Sequence, residues 1–254
     1  MSTSSSRFDG RANNYLNYRP SYPDEAIRTI ISTCSMEQGA IVADIGSGTG
    51  IFSDLLVSAG LEVFAVEPNE QMREAVEPSL QKQPRFHSIS GTAEATTLDN
   101  QSVDLITSAQ AFHWFEAGST KNEFRRVLKP SGRVALVWNQ RDTRTQMQQN
   151  YEGLLRNYVA DYENLVHTRI EDDSIDKFLD GSDIEIYSFA NQQVLDFDGL
   201  LGRMKSSSYV PVSDVDTFSR MVNDLKTLFE KNERDGKVYF DYETKLYIGT
   251  MSSS

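Results

Sequence analysis

One segment in the first quarter of the chain constrains the fold more than any other: a short apolar run that ends in a glycine-rich turn. Residues 41–53 read Ile-Val-Ala-Asp-Ile-Gly-Ser-Gly-Thr-Gly-Ile-Phe-Ser, and the apolar residues that follow the turn share one helical face. Strand, glycine loop and helix in this order open a nucleotide-binding α/β sheet, because glycines accept positive φ and let a ligand approach the backbone. We therefore predict a ligand site at residues 46–50.

A second apolar run, residues 61–66, ends in an acid that complements the glycine loop. This acid is Glu67, which lies 21 residues after Gly46. An ionised carboxylate is a pure acceptor with several lone pairs, so it suits the two vicinal hydroxyls of a ribose. The chain is therefore expected to bind a ligand with an adenosine-like ribose.

Composition excludes several classes of protein. The net charge is −12, with no run of Lys or Arg, which argues against nucleic acid as a substrate. No apolar run reaches the length of a membrane span, and the Ser-rich residues 1–6 resemble a disordered tail more than a signal peptide. The single Cys34 fits a reducing compartment, so we expect a cytoplasmic location. We also expect a monomer or homodimer with no membrane partner.

Strand and helix patterns alternate through the first part of the chain, which predicts parallel βαβ units. We expect strands near 41–45, 61–66, 85–90, 103–108 and 133–139, and helices near 24–35, 50–59, 69–81 and 116–128. The turn at 129–132 reads as a break before the fifth strand.

The second part of the chain has a different pattern, typical of helices roofing a site between two edge strands. An apolar stripe from Met147 to Tyr162 predicts one long helix, and two more are expected near 198–206 and 214–232. We divide a single domain, residues 1–254, into a lid (1–35), a cofactor-binding core (36–141), substrate-side helices (142–236, with an edge strand at 184–194) and a final antiparallel strand (237–250).

The spacing of the loop discriminates between cofactors. The loop is G-x-G-x-G, whereas a dinucleotide fingerprint is G-x-G-x-x-G and a phosphate-binding P-loop ends in Lys-Ser/Thr. Asp44, just before the loop, suits an ammonium group better than a pyrophosphate. A ribose together with a zwitterionic amino-acid tail indicates S-adenosylmethionine, with S-adenosylhomocysteine as product. No spacing of His, Cys or acids indicates a metal site.

With these residues in place, the chain resembles the class I S-adenosylmethionine-dependent methyltransferases, and most of all their small-molecule branch, which includes the trans-aconitate methyltransferase-like enzymes. The resemblance covers residues 7–142. It is carried by 42–50 (cofactor loop), 66–69 (ribose strand end), 91–94 with 103–106 (adenine side), 109–115 (a signature of the branch), 128–132 and 138–142 (around the fifth strand) and 19–23.

The resemblance implies a Rossmann-like α/β fold, a seven-stranded sheet of order 3-2-1-4-5-7-6 with strand 7 antiparallel, helices on both faces and a helical roof. It also implies which residues contact the cofactor. These are Gly46, Ser47 and Gly48 at the methionine part, Glu67 and Pro68 at the ribose, Ala93 and Glu94 at the adenine, and Ala109 and Gln110 under the sulfonium. Thr92 stands where many relatives have Asp, so Glu94 is expected to take that role.

Methyl transfer from a sulfonium needs alignment more than acid–base catalysis, so the acceptor site is harder to predict. His113 is a candidate general base; the competing interpretation is that it orders its loop. Arg19, Arg141 and Arg203 are candidates for binding an acceptor carboxylate, or else form salt bridges within the roof. Tyr15 is expected to close over the cofactor's amino-acid end, and Tyr22 and Asn139 to border the acceptor pocket.

These observations leave three functions open. The first is methyl transfer to an oxygen, in particular a carboxylate, of a small-molecule acceptor. The second is a nicotinamide-dependent oxidoreductase, which shares the strand, loop and acid but not the glycine spacing. The third is a regulatory protein that binds the cofactor without turnover.

Overall fold

The computed structural model describes residues 12–76, 78–165, 172–179 and 183–251. Within these residues the strands form one seven-stranded sheet with the order β3-β2-β1-β4-β5-β7-β6. The pairs among the first five strands are parallel, whereas β7 is antiparallel to both β5 and β6. The predicted fold class, sheet order and antiparallel strand 7 are confirmed.

The strand bounds follow the apolar runs of the sequence. They are β1 Ile41–Ile45, β2 Glu62–Val66, β3 Phe86–Ile89, β4 Val103–Ala109, β5 Leu128–Arg141, β6 Glu185–Leu195 and β7 Val238–Gly249. The α-helices are α1 Ala12–Tyr18, α2 Asp24–Thr33, α3 Ile51–Ser58, α4 Glu70–Glu74, α5 Pro78–Gln81, α6 Ala117–Val127, α7 Gln146–Tyr158, α8 Tyr162–Leu165, α9 Asp172–Phe178, α10 Phe197–Lys205 and α11 Val215–Asn232.

Three apolar clusters hold these elements together. One packs α2 and α3 on one face of the sheet, around Ile30, Phe52 and Leu56. Another joins α6 and α9 to strands through residues that include Phe124 and Phe178. The third lies in the roof, where α7, α10 and α11 pack on the start of β7. Burying each large apolar side chain contributes about 1.5–3 kcal/mol, so the roof has a substantial core of its own.

The N-terminal segment is tied to the roof and not to the glycine loop alone. Helix α1 packs on α10, where a Cβ at Gly202 would lie 2.3 Å from the ring of Tyr18. The carbonyl of Tyr18 accepts from Gln193 Nε2 at 3.1 Å. The carbonyl of Ser21 accepts from Asn139 Nδ2 at 3.1 Å. Only a glycine at position 202 allows this close contact.

Three expectations for secondary structure were wrong. The helix expected at 69–81 is two short helices, α4 and α5, of which α4 has the Asn69 side chain as N-cap. The stripe from Met147 to Tyr162 is interrupted after Tyr158, where Val159 is extended. The turn at 129–132 belongs to β5, which absorbs it as an irregularity in the pairing with β4 between Val103 and Leu105. In the first two cases the apolar periodicity continued across a local break, whereas in the third the strand continues through residues that resemble a turn.

No helix among the described residues is long and apolar enough to cross a membrane. The expected tail at residues 1–6 lies outside the described residues. The predicted division of the chain into lid, core, roof and final strand stays a prediction, as do the cytoplasmic location and the monomer or homodimer.

Candidate functional site

A cavity of about 380 Å³ opens where the parallel strands end. Its lining comes from the segments that follow β1, β2, β3 and β4, as expected of an α/β sheet that binds ligands outside the carboxyl ends of its strands. The lining residues are Tyr15, Gly46, Gly48, Glu67, Pro68, Met72, Thr92, Ala93, Glu94, Ala109, Gln110, Ala111, Trp114 and Phe115. Most of the predicted cofactor contacts are in this set, although their contacts with a ligand stay a prediction.

The glycine loop owes its shape to positive φ and close packing. Gly46 has φ +71° and its amide donates to the carbonyl of Val66 at 2.8 Å. A Cβ at Gly46 would lie 2.5 Å from the Cβ of Ala111, so even alanine would force the loop apart. Gly50 has φ +82° and precedes the first turn of α3. The loop can therefore present backbone to a ligand only with glycine at these positions.

Glu67 is held in position by the backbone of the two loops on either side. Its Oε2 accepts from the amide of Gly48 at 3.0 Å and its Oε1 accepts from the amide of Asn69 at 2.8 Å. The side chain is buried, and burial raises the pKa of Glu67 against the opposing effect of these hydrogen bonds. Each carboxylate oxygen still has a lone pair to offer, so the geometry suits a pair of ribose hydroxyls.

Asp44 is a buried acid at the end of β1. Its Oδ2 accepts from Ser53 Oγ at 2.6 Å and its Oδ1 accepts from Thr107 Oγ1 at 2.9 Å. Burial raises the pKa of Asp44 to about 6, and the nearby Glu67 adds to this increase. A cation placed beside Asp44 would reverse the shift, which fits the predicted ammonium contact.

The predicted adenine side of the cavity is mostly apolar. Trp114 and Phe115 supply aromatic surface, and Ala93, which also lines the cavity, is buried. Glu94 lines the cavity, but its Oε1 also accepts from the amide of Glu116 at 3.0 Å at the start of α6. Thr92 lines the cavity as well, so two side chains here can donate or accept hydrogen bonds to a base.

Gln110 adopts an uncommon backbone conformation at the end of β4. Its φ is +58°, although it carries a Cβ, and its amide donates to the carbonyl of Val137 at 2.9 Å. Its Nε2 donates to the carbonyl of Asn139 at 3.2 Å. Non-glycine residues in this region cost of order 1–3 kcal/mol and concentrate at functional sites. This conformation fixes the turn after β4, where Gln110 lines both the main cavity and a second one.

This second pocket, of about 30 Å³, is the polar extension of the main cavity. The two share four lining residues: Tyr15, Gly46, Ala109 and Gln110. The remainder of its lining is Arg19, Pro20, Tyr22, Asp44, Ser47, Ile51, Phe52 and Asn139. The predicted acceptor residues Arg19, Tyr22 and Asn139 therefore lie together beside the predicted methionine end of the cofactor.

Arg19 is the exceptional residue of this pocket. Its Nη2 donates to the carbonyl of Ser206 at 3.0 Å, and its guanidinium lies 4.8 Å from the ring centroid of Tyr15. Among the described residues, its buried Nε has no hydrogen-bond partner. Burial, together with Arg203, lowers the pKa of Arg19. An anion in the pocket would relieve both effects.

The other two candidate arginines point into the roof. The Nε of Arg141 lies 2.7 Å from Oε1 of Glu152, and both side chains are less than a tenth exposed. Arg203 donates from its Nε to the hydroxyl of Tyr242 at 3.0 Å. Neither arginine is among the described residues lining the two cavities. Arg141 thus has the competing role considered above, a salt bridge within the roof.

His113 is also absent from the described lining of both cavities. It lies in a short 3-10 helix, Phe112–Trp114, with its ring centroid 4.7 Å from that of Trp114. This placement favours the interpretation that His113 orders the loop after β4, because a general base must come within hydrogen-bond reach of the proton it removes.

Four residues of the site were not predicted individually: Met72, Ala111, Trp114 and Phe115 line the main cavity. The last three lie in segment 109–115, which carried the resemblance, whereas Met72 had no signal in the sequence. The described residues contain no group of three or more His, Cys, Asp or Glu placed to hold a metal ion. The expectation of a metal-free site stays a prediction.

Comparison with known proteins places this geometry in context. Residues 43–136 match a family model described as a methyltransferase domain. An uncharacterized methyltransferase of Mycobacterium tuberculosis is 40% identical over 137 residues, which is 54% of this chain and 54% of that protein. The chain thus spans about half the length of the curated relatives it matches.

Solved structures extend the likeness to nearly the whole chain. A candidate type II methyltransferase from Anaeromyxobacter dehalogenans superposes with a TM-score of 0.65 at 21% identity, covering 92% of this chain and 98% of that one. A phosphoethanolamine N-methyltransferase from Haemonchus contortus, in complex with S-adenosyl-L-methionine, has a TM-score of 0.58 at 14% identity and covers 100% of this chain and 61% of that one. At these identities the likeness shows the fold.

Proposed function

We propose that this chain, of which residues 43–136 match a methyltransferase domain model, is a class I S-adenosylmethionine-dependent methyltransferase that methylates an oxygen of a small carboxylate acceptor in a reducing, cytoplasmic compartment. One observation supports the acceptor class above all: the small pocket beside the methionine end contains Arg19, for which the described residues offer no carboxylate partner. A planar guanidinium is well suited to bind a carboxylate.

The residues fit the cofactor in three places. The loop at Gly46 leaves no room for a Cβ, as a backbone that must approach a ligand requires. Glu67 presents ordered acceptors to a ribose, and Asp44 is the buried acid for an ammonium group. The trans-aconitate methyltransferase-like branch stays a prediction.

When bound, the cofactor supplies an electrophilic methyl group on a sulfonium. The protein then has to align the acceptor oxygen with that methyl group, and such positioning can contribute on the order of 7–11 kcal/mol. Arg19 would hold the carboxylate, and Tyr22 and Asn139 would limit its orientation. Because a carboxylate is already ionised at neutral pH, no proton has to be removed, and His113 is not needed as a general base.

The acceptor class is tested by transfer of labelled methyl groups to a panel of carboxylates, phenols and amines. Arg19→Gln is expected to raise the acceptor KM about 10- to 100-fold, since it removes a charged hydrogen-bond donor of about 1.5–3 kcal/mol. The matched control is Arg28→Gln, which changes an exposed arginine paired with Glu25 on α2. Preferred transfer to phenols or amines, or an unchanged acceptor KM in Arg19→Gln, would remove the carboxylate proposal.

The raised pKa of Asp44 predicts how cofactor binding depends on pH. An ammonium group beside Asp44 lowers its pKa from about 6, so binding releases a proton below that pH. Affinity for S-adenosylhomocysteine should fall roughly tenfold as pH drops from about 7 to 5, and it should level off above 7. Glu67 contributes in the same direction, because burial raises its pKa too.

The variant Asp44→Asn distinguishes the contribution of Asp44 to this pH dependence from that of Glu67. Calorimetric titrations of this variant across the same pH range should show weaker binding at neutral pH and a shallower slope, since only Glu67 still titrates. A slope equal to that of the wild type would show that Asp44 does not face the ammonium group.

A further inference from the structure

Positive charge is in excess where the N-terminal segment meets the roof. Arg19, Arg141 and Arg203 lie close together and share tyrosine neighbours, and each guanidinium is largely buried. Among the described residues, one carboxylate forms an ion pair with this group: Glu152, at 2.7 Å from Arg141. One carboxylate against three guanidinium groups leaves two buried charges without a counter-ion.

The elements packed around this group contribute phenols and one carboxylate as acids. The charged and titratable side chains are Arg19 and Tyr15 from the N-terminal segment, Arg141 from β5, Tyr151 and Glu152 from α7, Tyr162 from α8, Arg203 from α10, Tyr209 from the turn after it, and Tyr242 from β7. Asp44 borders the small pocket, but Ser53 and Thr107 already donate to its two oxygens. The remaining acids of the group are phenols.

Tyr209 is the phenol best placed to become an anion. Its oxygen accepts from Nη1 of Arg141 at 3.1 Å, and Ser207 is a second hydrogen-bond partner. Ser207 in turn accepts from Nη1 of Arg203 at 3.3 Å. The Tyr209 hydroxyl is thus linked to two guanidinium groups, directly and through one hydroxyl.

The other phenols of the group are placed differently. Tyr162 accepts from Nη2 of Arg141 at 2.8 Å, but it donates to Glu152 at 2.7 Å, and burial together with this carboxylate raises its pKa. Burial likewise raises the pKa of Tyr151. For Tyr209, burial acts in the same direction, but Arg141 and Arg203 outweigh it and bring its pKa to about 8. Among these three phenols, only Tyr209 has guanidinium groups that outweigh the effect of burial.

We propose that Tyr209 is an exchangeable counter-anion beside the acceptor pocket: above the pH at which it ionises, its phenolate offsets one of the two unpaired arginine charges when the pocket is empty, and it takes up a proton when an anionic acceptor binds. The acceptor half of this inference rests on the proposed function. The proton balance closes over a turnover in that pH range. Binding of a carboxylate there takes one proton from solvent onto the ionised Tyr209 oxygen, and methylation converts the carboxylate into a neutral ester. Tyr209 then returns the proton to solvent, and the arginines no longer hold the product.

The ionisation of Tyr209 can be tested without cofactor or turnover, by following the ultraviolet absorption of phenolate in a pH titration of the full chain. We expect one of the eleven tyrosines to ionise with a midpoint near pH 8. Tyr209→Phe should lose this step, whereas Tyr239→Phe, which removes an exposed phenol on β7, should keep it. Ser207→Ala should keep the step and shift its midpoint upward, because the phenolate loses a donor. Absence of the step in the wild type, or its persistence in Tyr209→Phe, would overturn the inference.

The exchange between the phenolate and a bound anion is tested with acetate as the probe. Acetamide, of similar shape and no charge, is the control at matched ionic strength. Acetate should raise the Tyr209 midpoint by about one pH unit or more, since it takes over the counter-charge. Acetamide should leave the midpoint unchanged. No shift with acetate, or the same shift with sodium chloride alone, would contradict the exchange. If the step and its shift appear but no acceptor is methylated, the proposed function fails by itself; carboxylate methylation without a Tyr209 step would overturn only this inference.

Discussion

Glu67→Ala will weaken binding of S-adenosylhomocysteine by about 100-fold or more. Two ribose hydroxyls would each lose a hydrogen bond to a charged group, and such bonds contribute about 1.5–3 kcal/mol apiece. The loss is larger than that of the contacts alone, because Glu67 also accepts from the amides of Gly48 and Asn69. Without these bonds the glycine loop and the start of α4 lose the group that holds them together.

Isothermal titration calorimetry measures this effect directly, and two further variants define its origin. Glu67→Gln keeps the shape but only one acceptor oxygen, so its loss should lie between those of wild type and Glu67→Ala. Glu62→Ala is the matched control, since Glu62 is a more exposed acid at the start of β2, the strand that Glu67 follows, and is paired with His87. It should bind like the wild type. If Glu67→Ala bound the ligand within threefold of the wild type, Glu67 would not be the ribose ligand.

Glu152→Leu will lower the free energy of unfolding by about 3–5 kcal/mol, because it leaves the guanidinium of Arg141 buried without its carboxylate. Both side chains are less than a tenth exposed. Glu152 also accepts from the hydroxyl of Tyr162 at 2.7 Å, so this hydroxyl loses its acceptor and keeps only the donor Arg141. The ion pair is therefore expected to be a structural feature of the roof that also fixes Arg141 beside Tyr209.

Urea denaturation of the single and double variants distinguishes the cost of losing the ion pair from the cost of leaving one charge unpaired. Arg141→Met combined with Glu152→Leu should be clearly more stable than Glu152→Leu alone, since no charge is left unpaired. The control is Glu163→Gln, which breaks the exposed pair between Arg156 and Glu163 and should cost about 0–1 kcal/mol. A cost below about 1 kcal/mol for Glu152→Leu would mean that water reaches Arg141 freely.

The sheet and the cofactor side of the site could be predicted because their signals are local. The apolar run, the glycines and the acid at Glu67 lie within one βαβ unit, and parallel strands bring their carboxyl ends to one edge. The pattern of β6 and β7, with helices between them, similarly indicated an antiparallel edge. Positive φ at Gly46 and Gly50 follows from the same turn.

The acceptor side could not be predicted to the same depth, because its contacts join residues far apart in the chain. Arg19 meets Ser206 across 187 positions, and Arg203 meets Tyr242 across 39. Sequence patterns identified three arginines but not which of them is neutralised; only the fold shows that Arg141 pairs with Glu152 and that Arg19 has no carboxylate partner among the described residues. Tyr209, in the turn after α10, carried no periodicity or motif at all.

A calorimetric titration of the full wild-type chain with S-adenosylhomocysteine and with NADH tests the identity of the cofactor. We expect saturable one-to-one binding of S-adenosylhomocysteine and no heat of binding with NADH at the same concentration. Saturable binding of NADH together with no binding of S-adenosylhomocysteine would contradict it.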